Sequence, residues 1–221
     1  MKRISQLLII NLFVTLVLGL TSCTPKPQND CGFVQNIYGQ RISWKSNDKI
    51  PLFIHSSVPM ALRPAIYHAA ETWEAQIGRK LFAISEDSSQ INGAPARDQK
   101  NGIYFLSNWE SDNSSEQGRT SVYWAGDAIL EADIRVNAFD FSFYGMGSKD
   151  LFGGARVKAL SGHGNFDGYS FEALILHELG HFLGLKHQDN TKSVMMTHLA
   201  AFENRTQVSA LDQDKVRCEY N

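Results

Sequence analysis

Three histidines and a glutamate stand close together in the run His177-Glu178-Leu179-Gly180-His181-Phe182-Leu183-Gly184-Leu185-Lys186-His187. On a helix, side chains four residues apart stack on one face, so the imidazoles of His177 and His181 can reach one ion. Glu178, beside the first histidine, can reach a water on that ion without being a ligand, the place for a general base. Gly184 can leave the helix through a left-handed conformation, which turns the chain so that His187 returns as a third ligand. Three neutral nitrogens leave one tetrahedral position open, the arrangement of a catalytic rather than a structural zinc. Zinc lowers the pKa of bound water from about 15.7 to about 7 and polarises a carbonyl oxygen. The chemistry these residue types describe is hydrolysis of an amide bond.

Two histidines four apart on an apolar helix are commonly packed core residues; Glu178, Gly184 and His187 at fixed spacing set this run apart. The pattern H-E-x-x-H-x-x-G-x-x-H resembles the metzincin signature of zinc endopeptidases. The distance from His187 to Ser193-Val194-Met195-Met196 is similar to that of the matrixin branch. The resemblance implies an α+β, zincin-like fold: a twisted, mostly parallel sheet with an antiparallel edge strand, a central active-site helix and a C-terminal helix. It implies one catalytic Zn2+ held by His177, His181 and His187, with Glu178 as the base and Met195 as the apolar floor beneath the histidines. Alone, Met195 would be an ordinary core methionine. Thr197 stands where some metzincin branches place a tyrosine, which leaves oxyanion stabilisation to zinc or a backbone donor. The implied activity is endopeptidase cleavage of extended peptide or protein substrates. Two other readings compete with it: a zinc amidase acting on peptidoglycan peptides, and a non-catalytic, zinc-stabilised binding module of the envelope. A purely structural site has no need of Glu178.

Residues 1–22 read as a leader rather than as part of the fold, with basic Lys2 and Arg3 followed by an apolar run from Leu7 to Leu20. Leu20-Thr21-Ser22-Cys23 resembles the bacterial lipobox, which implies lipidation of Cys23, export and a membrane anchor in the cell envelope. Ordinary signal cleavage near the same place is the alternative. Thr24, where an aspartate resembles an inner-membrane retention signal, implies the outer membrane if the cell is Gram-negative. Residues 23–30 form a polar, proline-bearing tether, and 31–221 form one catalytic domain. The leader removes two of the 21 basic residues and none of the 23 acidic ones, so the exported part carries a net charge of about −4. No basic run suggests nucleic acid, and a monomer is expected.

With Cys23 acylated, Cys31 and Cys218 remain, and an exported pair reads first as a disulfide. In matrixins the start of the catalytic domain packs beside the last helix, which supports the pairing. The rival is a remnant of the matrixin cysteine switch at Cys31-Gly32, with the thiolate capping zinc. Asn29-Asp30-Cys31-Gly32-Phe33-Val34 lacks the arginine and proline of that motif, and the disulfide is preferred.

The positioning elements read coarsely. Strands are expected at 51–56, 81–84 and 101–107, and a helix at 60–77 with Ile66, Ala70, Trp73 and Ile77 along one stripe, ended by Gly78. Residues 85–100 and 108–120 read as polar loops. Residues 129–138 alternate cleanly: Leu130, Ala132, Ile134, Val136 and Ala138 on one face, Glu131, Asp133, Arg135 and Asn137 on the other. The resemblance makes this half-buried strand the exposed edge on which substrate pairs by strand addition. Residues 139–168 form a long aromatic and glycine-rich loop in which His163, Asp150 and Asp167 could hold a second, structural metal. His55, His68 and His198 are expected to be structural or on the surface. The active-site helix should begin at Ser170 as N-cap, and a closing helix is expected at 207–219 with Val208, Leu211, Val216 and Cys218 partly inward. Leu199 and Phe202 hint at an apolar pocket beyond the zinc.

Overall fold

The computed structural model describes residues 25–145, 156–157, 168–190 and 192–221. The leader, Cys23, and the candidate second metal ligands Asp150, His163 and Asp167 lie outside them. Among the described residues, no helix is long and apolar enough to cross a membrane.

Strands β1 (Ile50–Ile54), β2 (Phe82–Ser85), β3 (Gly102–Leu106), β4 (Gly118–Ala125) and β5 (Ala128–Asn137) form one sheet in the order β2-β1-β3-β5-β4. All neighbours run parallel except β4, which turns back antiparallel on β5 and closes one edge. A second, small sheet joins β6 (Phe143–Tyr144), β7 (Arg156–Val157) and β8 (Tyr169–Ser170). Helices α1 (Arg63–Ile77), α2 (Phe171–Phe182) and α3 (Ala210–Tyr220) complete the chain.

Helix α1 buries the expected stripe of Ile66, Ala70, Trp73 and Ile77 and ends where Gly78 turns left-handed at φ 81°. The Trp73 indole donates to the Leu176 carbonyl at 2.9 Å, so α1 is fastened to the middle of α2. Helix α2 is buried on nearly every side, as its composition demands. Its last carbonyls are satisfied from outside the helix: Trp44 Nε1 donates to Phe182 O at 2.8 Å, and the Tyr220 hydroxyl to Leu183 O at 2.6 Å.

The alternating strand, β5, corrects the reading of 129–138. It lies inside the sheet between β3 and β4, and is not an edge. Ala132, Ile134 and Val136 face the core as expected, but Leu130 is exposed while Ile129 is buried, beside a bulge opposite Tyr123 and Trp124. The polar face is buried too. Glu131 accepts the backbone N–H groups of Asp98 and Gln99 at 3.1 and 2.5 Å, Asp133 accepts that of Gly102 at 2.8 Å, and Asn137 donates to Glu116 O at 3.0 Å. Only Arg135 reaches outward, to Glu110 at 2.9 Å and over the Trp109 ring. The polar loop before β3 covers this face, and buried polar side chains persist there because they are hydrogen-bonded. Glu131, Asp133 and Asn137 are thus pins for loops, not a recognition surface.

Cys31 and Cys218 form a disulfide with their Cα atoms 6.3 Å apart, joining the start of the domain to α3. Cys31 therefore has no free thiolate with which to cap a metal. The same seam carries Glu219, which accepts Arg41 Nε at 2.5 Å and Lys45 Nζ at 2.7 Å. Val216 is buried in α3, whereas Leu211 and Cys218 are exposed.

Candidate metal centre and cleft

Ser170 caps α2 by accepting the N–H of Ala173, and Glu172 sits in the first turn. Two turns on, the helix presents His177 and His181 on one face. Gly184 then takes φ 102°. A Cβ there would lie 2.2 Å from Ile42 O, so both the turn and the close approach require glycine. The chain reverses, pairs Leu185 with Phe33, and returns His187 to the other two histidines.

The three Nε2 atoms converge: His177 to His181 3.1 Å, His181 to His187 3.0 Å, His177 to His187 3.3 Å. Tetrahedral coordination at about 2.0–2.1 Å places ligand nitrogens about 3.3 Å from one another, so the triad fits a zinc ion. Nδ1 of His177 lies 2.8 Å from Val194 O, and Nδ1 of His181 lies 2.8 Å from Leu185 O. A carbonyl can only accept, so each Nδ1 carries the proton and each Nε2 presents a lone pair inward. Burial is the main cause holding all three imidazoles below their ordinary pKa, His177 down to about 3. Facing lone pairs without protons between them call for a cation, and these residues form a group able to hold one.

Glu178 is buried beside them. Burial pushes its carboxyl up to about 7, while the hydroxyl of Thr120 on β4, donating to Oε2 at 2.7 Å and to the Glu178 carbonyl at 3.1 Å, favours the charged form. The three histidines, Glu178, Glu116–Thr120 and Met196–Leu199 line one cleft of about 550 Å³. Met195 is fully buried beneath it; a Cβ on Gly180 would fall 2.2 Å from its Sδ, so the helix reaches this floor only with glycine there. Leu199 is buried and lines the cleft, but Phe202 is exposed and lies outside it.

The edge strand at the cleft is β4. Residues 108–120 read as a loop because Gly118-Arg119-Thr120-Ser121 has no apolar alternation. Gly118 has no side chain because α2 is close: a Cβ there would meet Glu178 Oε1 at 3.0 Å. The β-forming run Val122-Tyr123-Trp124 was the available signal.

Two supporting groups were not foreseen. Asp212, fully buried in the first turn of α3, accepts Ser193 Oγ at 2.5 Å and Val194 N at 3.0 Å, and closes a capping box with Ser209. Arg205 donates to the carbonyls of Ser193, Met196 and His198 at 3.4, 3.3 and 2.7 Å and braces the segment that walls the cleft. A capping box is a visible pattern; a loop arginine is not. His55 stacks on Tyr104 and His68 pairs with Glu172 at 2.6 Å, but His198 lines the cleft.

A parallel sheet with one antiparallel edge, a buried helix bearing two of three converging histidines, and an adjacent carboxylate together define a metal-dependent hydrolytic centre. A family model described as Matrixin matches residues 30–221. The chain belongs to the matrixin family, whose members are zinc-dependent endopeptidases. No curated protein matches it.

Proposed function

We propose that the chain is an exported, lipid-anchored zinc endopeptidase that cuts extended segments of protein laid along β4. The observation that carries this reading is the convergence of three histidine Nε2 atoms beside a buried carboxylate, at the foot of a strand with no neighbour on its outer side among the described residues. An extended peptide adds to such an edge through backbone hydrogen bonds, which suits many sequences, and its carbonyl is thereby presented over the histidines.

When bound, zinc supplies a Lewis acid that activates water and polarises the scissile carbonyl. The chain's own groups do the rest. His177, His181 and His187 would hold the ion. Glu178 Oε1 takes the proton of the attacking water, and the resulting carboxylic acid delivers it to the departing amine nitrogen. Thr120 keeps the other carboxylate oxygen occupied, so that one oxygen of Glu178 is reserved for the proton.

Cys23 as acylation site and, if the cell is Gram-negative, the outer-membrane location belong to the same proposal, supported by Leu20-Thr21-Ser22-Cys23 and Thr24; a monomer is proposed with them. Incubation of the metal-loaded chain with casein should give fragments, lost on chelation and reduced about 10²–10⁴-fold in Glu178→Ala. A folded, metal-loaded chain that cleaves muropeptides and spares casein would favour the amidase. Cleavage of neither would favour the binding module.

A further inference from the structure

Four of the ten large hydrophobic residues exposed among the described residues lie on or beside two turns that touch each other. Ile37 is 91% exposed and Tyr38 50%, at the tip of a turn closed by Asn36 N to Gln40 O at 2.9 Å. Asn36 Nδ2 also donates to Gly126 O at 3.0 Å, which seats this tip against the β4–β5 turn; on the strand ends beside that turn, Trp124 is 47% and Leu130 52% exposed. Single exposed hydrophobics need no explanation, but four large ones on one turn and on the strand ends it abuts are surface of the kind that marks a contact.

What covers it follows from where the chain enters the domain. Pro27 packs on Gly39, and Gln28 is bonded three times to the same turn: its N to Gly39 O at 2.8 Å, its O from Gln35 Nε2 at 2.8 Å, its Oε1 from Arg41 N at 2.9 Å. Four residue steps, about 14 Å at full extension, lead from Cys23 to Pro27.

We propose that this face, Ile37 and Tyr38 with Trp124 and Leu130, seats on the bilayer surface. The inference rests on the anchored reading above. Tyr and Trp suit the headgroup level, and Ile and Leu the acyl boundary beneath it. Arg41, which closes the turn, is already paired with Glu219, and Lys45 beyond it with Asp127 at 3.4 Å and Glu219 at 2.7 Å, and the exported part is acidic overall. The contact is therefore apolar, and requires neither anionic lipid nor low salt.

The test uses the full chain, carrying its own anchor, reconstituted in phosphatidylcholine vesicles. An environment-sensitive fluorophore is placed at Ile37→Cys, and as reference at Met60→Cys, which follows β1 and so lies at the opposite end of the sheet. Mass spectrometry reads acylation of Cys23 separately. The expected result is a blue-shifted probe at 37 that a lipid-borne quencher reaches, a water-exposed probe at 60, and no change in high salt. An acylated, vesicle-bound chain with its probe at 37 in water overturns the seating face and leaves the anchor standing. A chain without acyl group whose position 37 still enters vesicles overturns the anchor and keeps the face; failure of both overturns both. A blue shift seen only in native membranes, never in protein-free vesicles, gives the face to a protein partner and overturns the proposal.

Discussion

Thr120 makes a hydrogen bond that reaches the Glu178 carboxylate from a different element, and its removal isolates positioning from folding. Thr120→Val should keep the branched shape on β4 while freeing Glu178 Oε2, lowering kcat by about 10–100-fold with KM little changed, since one hydrogen bond to a charged group contributes about 1.5–3 kcal/mol. Zinc content should stay the same. At this scale His177, Glu178, His181, Gly184 and His187 were legible because metal chemistry dictates both residue type and spacing. Thr120 was not, because a threonine's role is set by what folds against it, and here the partner is 58 residues away. Arg205 was hidden for the same reason.

Between elements, the chain of contacts from α3 to the metal centre runs through one carboxylate. Asp212 holds Ser193 and Val194, and the Val194 carbonyl orients His177. Asp212→Ala should therefore weaken zinc affinity by about 10–100-fold, read by competition with a chelator, besides lowering stability. The buried face of β5 carries a pH prediction. Burial, then the nearby Glu131 and Asp98 carboxylates, push Asp133 up to about 7. The folded chain thus holds more protons than the unfolded one between about pH 4 and 7, so this group makes stability fall as pH rises through that window, with its full cost above it. Asp133→Asn should unfold at higher denaturant than the parent at pH 8, by an amount on the order of 2 kcal/mol, and match it near pH 4. The alternation of 129–138 located the apolar face of this strand correctly. Alternation alone cannot say whether the polar face meets water or a folded-back loop, and that ambiguity put the edge of the sheet one strand away from where it is.

For the molecule as a whole, the seam at Cys31–Cys218 closes 187 residues of sequence. Removing it with Cys31→Ser should lower stability by roughly 2–5 kcal/mol without changing kcat of the folded fraction, as expected of a staple and not of a latency device. The fold class followed from the metal motif and its family, while the order of strands did not, since a coarse reading of short strands carries no pairing information. Strand β4 runs between the two ends that matter: Thr120 touches Glu178, and Trp124 belongs to the face proposed to rest on lipid. Four residues of strand measure about 13 Å. With the proposed face on the bilayer, such a strand would act as a ruler, admitting to the blade only those stretches of protein that emerge within that height of the lipid, so that reach, more than side-chain preference, would decide what is cut.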